Sequence, residues 1–281
     1  MKKALFILTI SLLSALTGLA QRPKPSQEVG VFIGGSYYIG ELNPTKQFDQ
    51  FTQPAAGLVF RYNFNPRLAV RFNALYGSIQ GDDSFSNSPA QIQRNLSFKS
   101  NIYELSSQLE FNFLDYQMGD EKHGFTPYIF GGLAIFHFNP QTKVKGNWVD
   151  LQPLGTEGQG LPGAASSRKY KLTQISLPFG IGIKANLAKN IGVSLEWGMR
   201  KTFTDYLDDV STTYYNPAKL AAAHGALAAQ LSDPSIGTDP KYSNVGRQRG
   251  NPTTTDWYSF AGIALTVKIR QKRKTCPGVY K

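Results

Sequence analysis

Between residues 171 and 204 the chain alternates apolar and polar residues almost without a break. Ile175, Leu177, Phe179, Ile181, Ile183 and Ala185 are interleaved with Ser176, Pro178, Gly180, Gly182, Lys184 and Asn186. After a link at 187–190, Ile191, Val193, Leu195, Trp197 and Met199 are interleaved with Gly192, Ser194, Glu196, Gly198 and Arg200. A period of two belongs to strands with one apolar and one polar face. These runs are about ten residues or longer, against roughly five or six in soluble sheets. Crossing a bilayer takes about 9 to 11 tilted residues. The stretch therefore reads as a transmembrane β-hairpin, and that reading constrains the rest of the chain.

Comparable runs recur at about 28–39, 55–64, 68–79, 103–113, 127–138 and 257–270. The fourth is the clearest: Tyr103, Leu105, Leu109, Phe111 and Phe113 alternate with Glu104, Ser106, Gln108, Glu110 and Asn112. In the fifth, both faces are apolar and the pattern assigns no orientation. The links after strands two, four and six are short, and those after one, three, five and seven are long. That parity predicts an all-β fold: an eight-stranded antiparallel transmembrane β-barrel over residues 21–270, with short periplasmic turns, long extracellular loops and both termini periplasmic. A soluble sandwich explains the alternation but not the strand length combined with the loop parity. One loop carries a helix signal, with Asn216 as N-cap, Pro217 at the first helical position and Leu220, Leu227 and Leu231 near helical spacing. Its apolar stripe faces either the barrel rim or a partner, or its own loops.

The first twenty residues are read separately. Lys2 and Lys3 precede an apolar run and the small residues Gly18 and Ala20, the pattern of a cleaved secretory signal peptide over 1–20. No later run of about 18 apolar residues offers a transmembrane helix. The net charge is +11, and +9 once the two leader lysines are removed. For an exported chain this points to anionic lipid headgroups, a polar lumen or an acidic partner, and nucleic acid is not expected.

An eight-stranded barrel is too narrow for an open aqueous pore. Inward Arg61, Arg71, Glu104, Glu110, Lys184, Glu196 and Arg200 are expected to pair with one another, since ionised groups in a low-dielectric interior need partners. The three histidines, His123, His137 and His224, have no nucleophile motif beside them and form no cluster with cysteine. The chain thus reads as no enzyme, with no catalytic, cofactor or metal residues. Asp205, Asp208 and Asp209 offer hard oxygen ligands but lack a recognised calcium-loop spacing, and they are read as solvated loop charge. A basic tail at 271–281, continuing from Arg270 through Lys272, Arg273 and Lys274, falls on the periplasmic side. The single cysteine, Cys276, follows it and is available only for an intermolecular bond.

Four stretches carry a resemblance: YIGELN at 38–43, NFNPRLAVR at 63–71, DLQPLGTEGQG at 150–160 and RKTFTDYLDDVSTT at 200–213. They resemble the PorG-type outer-membrane proteins of Bacteroidota, components of the type IX secretion and gliding apparatus. The resemblance implies a non-enzymatic barrel, set in outer-membrane lipid, that anchors a periplasmic ring built by a PorK-like lipoprotein with its PorN-like partner. Contacts would then fall on Asn65, Arg67, Lys189, Arg270, Lys272, Arg273, Lys274 and Cys276. The alternative is a surface barrel that binds ligand or host through its extracellular loops and has no secretion role.

Overall fold

The computed structural model describes residues 25–43, 51–235 and 243–269. The expected signal peptide over 1–20, Arg270 and the basic tail with Lys272, Arg273, Lys274 and Cys276 lie outside the described residues. Ten strands follow one another: β1 (Ser26–Ile39), β2 (Gln53–Asn63), β3 (Leu68–Asp82), β4 (Ser97–Asn112), β5 (Phe125–His137), β6 (Pro140–Val144), β7 (Asn147–Asp150), β8 (Thr173–Ala188), β9 (Ile191–Thr202) and β10 (Trp257–Ile269). Three short helices, α1 (Pro89–Arg94), α2 (Pro217–His224) and α3 (Ala226–Ser232), lie in the loops. None is long and apolar enough to cross a membrane.

Eight strands close into an antiparallel barrel. Each pairs with its neighbour, and β1 closes on β10 from Gln27 opposite Ile269 to Ile39 opposite Trp257. Closure removes the free edges that an open sheet leaves unpaired. Register follows from the alternation, because a one-residue slip would turn every side chain to the other face. Along β4, Tyr103, Leu105, Leu109 and Phe111 point out, and Glu104, Ser106, Gln108 and Glu110 are buried. The outer face is a belt of apolar side chains: Ile33, Leu58, Leu105 and Leu133 are each more than 60% exposed. So large an exposed apolar surface matches hydrocarbon rather than water. Aromatic rings edge the belt on both sides, Phe64, Phe111, Phe113 and Phe125 near the short links and Tyr76, Tyr103 and Trp257 near the long loops.

Strand β5 shows why its pattern gave no orientation. Tyr128, Phe130, Ala134 and Phe136 are buried inside the barrel, while Ile129, Leu133 and Ile135 face out. The lumen here is filled by aromatic rings, so both faces are apolar for different reasons. The opposing strands make room by omitting side chains. A Cβ at Gly182 would stand 2.5 Å from the Tyr128 ring, and one at Gly198 would stand 2.6 Å from that of Phe130.

The long-loop end is more ordered than the sequence pattern indicated. The glycine-rich stretch after β5 contains the β6–β7 hairpin, joined to β4 through Lys99 and Ser100. The expected loop helix begins as read, with the Asn216 side chain accepting from the Lys219 amide at 3.0 Å. It is two helices rather than one, because Gly225 (φ +93°) interrupts it between α2 and α3. Leu220 is fully buried and Leu231 packs on the buried core, whereas Leu227 stays partly exposed, so most of the stripe packs inward.

Candidate functional site

Three levels can be followed through the barrel from the short links to the long loops. The first is an ionic lumen in which all seven charges expected inside are buried and paired. Glu110 accepts from Arg61 Nε at 2.9 Å and from Lys184 Nζ at 2.7 Å, with Arg71 Nε at 3.4 Å. Glu196 takes Arg71 and the Tyr128 hydroxyl, the latter at 2.7 Å. Glu104 accepts from Arg200 Nε at 3.1 Å and Tyr258 at 2.9 Å. The alternation reading omitted Glu28, which accepts from Arg61 Nη1 at 2.7 Å, Asn63 at 2.8 Å and Thr266 at 3.1 Å. Its parity with Gly30, Phe32 and Ser36 was the available signal, but the inward Phe32 blurred that face. Four carboxylates thus meet four cations, and Phe130, Tyr128 and Phe260 lie against Arg71, Lys184 and Arg200 respectively.

The second level is a column of rings leading out of the lumen. Phe136 contacts Tyr258 and Phe138, Phe138 stacks on Tyr170 at 6.1 Å, and Tyr170 stacks on Tyr206 at 4.7 Å. With Arg61, Arg71, Arg200, Tyr128, Phe136 and Phe138 all fully buried, side chains fill the interior.

The third level is a cap across the mouth, built from stretches that carry the family resemblance. Glu157, within 150–160, accepts from the amides of Ser211 (2.9 Å) and Thr212 (3.0 Å), from Thr212 Oγ1 (2.6 Å) and from Arg249 (3.0 Å). Asp209 accepts from Thr156 and from Tyr170 at 2.7 Å, with Arg249 Nη2 at 3.8 Å. Burial, set against the attraction of Arg249, leaves the Asp209 carboxyl raised to about 6. From the 38–43 stretch, Tyr38 donates to Asp208 at 2.5 Å and stands 3.1 Å from Asp256. Glu41 Oε1 accepts from the Asn251 amide at 3.0 Å. Asp205, Asp208 and Asp209 are therefore buried, not solvated. The sequence reading failed here because what meets Asp208 and Asp209 comes from distant parts of the chain: Tyr38 at the end of β1, Thr156 and Tyr170 in the loop before β8, and Arg249 near the end of the loop before β10. Burial pushes Asp205 up to about 8 and raises Glu41, Asp208 and Asp256, and carboxylates close by raise Asp205, Asp208 and Asp256 further.

At the opposite end the short links are tied together. The Asn65 side chain accepts from the amides of Arg67 and Leu68, both at 2.8 Å, and closes the β2–β3 turn. Arg67 reaches across to Asp115 at 2.6 Å and the Phe113 carbonyl at 2.7 Å. Asn186 donates to the carbonyls of Gln117 and Asp120, and Lys268 to that of Met118. Lys189 is exposed at the β8–β9 turn. β10 reaches Ile269 at this end. The histidines are dispersed: His123 lies beside Asp120, His137 beside Thr173 and His224 against the Leu154 carbonyl.

A family model described as "Domain of unknown function (DUF6089)" matches residues 3–152, more than half of the chain. The chain belongs to the DUF6089 family. Comparison with curated proteins gives no match. Among solved structures, Neisserial surface protein A is 10% identical, with 88% of this chain and 100% of that one covered and a TM-score of 0.42. OprG from Pseudomonas aeruginosa is 13% identical over 88% and 97%, with a TM-score of 0.40. Ail, the attachment invasion locus protein of Yersinia pestis, is 9% identical over 88% and 100%, with a TM-score of 0.39. The DUF6089 match takes in the 38–43 and 63–71 stretches and ends inside 150–160. The fourth stretch, at 200–213, lies beyond it and meets the third through Glu157.

Proposed function

We propose that this DUF6089 protein is a non-enzymatic outer-membrane component of a type IX secretion and gliding apparatus, with its short links in the periplasm. There it holds a ring built by a PorK-like lipoprotein and its PorN-like partner. The observation that carries this reading is the clamped short-link end. The links are tied together by Arg67, Asn186 and Lys268, which presents exposed Arg67, Lys122 and Lys189 on a stiff base at the end where β10 reaches Ile269. Asp115, Asp120 and Glu121 share this end, so the positive excess lies in the sequence of 270–281, and a preorganised base lowers the ordering cost of docking an acidic partner there. The filled lumen suits an anchor rather than a channel.

Deleting residues 271–281, alone and with Arg67→Glu and Lys189→Glu, tests the reading in native membranes. Ring proteins should cease to copurify and cargo secretion should fall. Unchanged ring capture in the combined variant would remove the anchoring site. The second reading, a surface barrel acting through its long loops, is favoured by the ordered cap. Replacing residues 205–255 with a short turn separates the two, since secretion survives that change only if the periplasmic end does the work.

A further inference from the structure

The mouth of the barrel holds an arrangement that neither reading uses. Glu41 follows β1, Asp205 follows β9 and Asp256 precedes β10, so the closing strands bring together three carboxylates from distant parts of the chain. One oxygen from each lies within 4.8 Å of the other two. Asp205 is about nine-tenths buried, and neither of its oxygens has a hydrogen-bond partner. Ser211 approaches Asp205 without completing a bond. Glu41 Oε2 is likewise buried and unpartnered, while Oε1 is occupied by Asn251. Asp256 is held in place by the Leu207 amide at 2.9 Å and by Tyr38. The remaining neighbour, Asp208, is already taken up by Tyr38 and the Val210 amide. None of the four carboxylates has an ion-pair partner among the described residues: Arg94 is bound to Asp83, and Arg249 to Glu157 and Asp209.

Buried carboxylates without cations are strongly disfavoured unless a positive ion or protons join them. We propose that Glu41, Asp205 and Asp256 form a site for a divalent cation of the size of Ca2+, which fastens the long loops across the mouth. All donors are oxygen, which selects a hard cation over zinc or copper. Coordination habit selects among the hard ions: Ca2+ accepts irregular sets of carboxylate oxygens at about 2.3 to 2.6 Å, whereas Mg2+ demands near-ideal octahedral geometry at about 2.0 to 2.1 Å and keeps several waters rather than entering an all-protein cage. Glu41 and Asp256 also line a cleft of about 690 Å³ open to solvent, which gives the ion a route in and supplies the waters that complete its shell. The Asp205 oxygens, which complete no hydrogen bond, are the ligands that have no other role. This inference is independent of the secretion reading.

The test uses the full mature chain in detergent or lipid vesicles, with tryptic cleavage in the long loops, at exposed Arg168 among other sites, as the readout. Extracellular calcium sites bind at about 10⁻⁴ to 10⁻³ M, so Ca2+ is added at about 2 mM and compared with EGTA. Cleavage should slow about tenfold with Ca2+, and calorimetry should register one bound ion. Asp205→Asn should abolish both responses while making the cap more resistant in EGTA, because the buried, unpartnered carboxyl group that folding must neutralise is gone. If that variant does not fold, Glu41→Gln carries the same expectation. Equal cleavage with Ca2+ and EGTA, or a Ca2+ response that persists in both variants, would show that protons alone neutralise the cluster and overturn the site. Equal protection by Mg2+ would overturn its assignment to a Ca2+-sized ion.

Discussion

The barrel interior and the barrel mouth bury charge in opposite ways. Inside, Glu28, Glu104, Glu110 and Glu196 face Arg61, Arg71, Lys184 and Arg200, and each carboxylate touches at least one cation within 3.4 Å. At the mouth, Glu41, Asp205, Asp208 and Asp256 gather with no cation of their own among the described residues. The difference follows from how each region is built. A strand face holds its side chains in fixed register, so complementary charges can be set opposite one another and the barrel closes complete. Loops carry no fixed register, and there a cluster short of positive charge has a use: it makes the cap responsive to dissolved cations.

Four changes bear on that contrast. The largest effect is expected from Glu110→Gln, which leaves Arg61 and Lys184 without their shared partner. Breaking a buried pair costs about 3 to 5 kcal/mol, which urea unfolding in lipid vesicles would measure; a loss below about 1 kcal/mol would mean the lumen network is not what holds the interior together. Next comes Gly158→Ala in the cap. Gly158 has φ +73°, and a Cβ there would stand 2.4 Å from the Tyr215 ring. A cost of about 1 to 3 kcal/mol should appear as loop proteolysis with barrel unfolding unchanged, and a matching shift in barrel unfolding would mean that cap and barrel are one cooperative unit.

A smaller effect concerns pH. Asp209 faces Thr156, Tyr170, Arg249 and the nearby Glu157, and the folded cap keeps its proton up to about pH 6. The opened loop releases it near about pH 4. Between those values the folded state binds more protons at Asp209, so the contribution of Asp209 to cap stability falls as pH rises through the window and levels off above it. Hydrogen exchange in the 205–213 loop should follow that curve, and Asp209→Asn should flatten its slope. The smallest effect belongs to Arg67→Ala. Its pair with Asp115 is half exposed and contributes about 0 to 1 kcal/mol, so a clear loss of ring capture with stability intact would assign Arg67 to docking.

Much of the barrel was legible because alternation is a local signal. Eight strands, their order and their short links all follow from period two and loop length, and the seven lumen charges follow from the polar face. Glu28 was hidden by Phe32 on the same face, and β5 by rings on both. The cap was not legible as structure, because Glu157, Asp209 and Arg249 meet across about a hundred residues with no periodicity to mark them. Its building blocks were nonetheless visible, since three of the four stretches that carried the resemblance, 38–43, 150–160 and 200–213, end up in contact there. The fourth, 63–71, supplies Asn63 and Arg71 to the lumen and Asn65 and Arg67 to the opposite end. Asp205 was read as solvated because a lone acidic loop looks solvated until the other loops close over it.

The contrast between interior and mouth reduces to one paired measurement: the resistance of Glu110→Gln and Asp205→Asn to urea and to trypsin, side by side in EGTA at neutral pH. Removing a lumen carboxylate should weaken the protein, and removing a mouth carboxylate should strengthen the cap. If both variants lose stability, the carboxylates at the mouth are as well compensated as those inside, and the contrast is wrong.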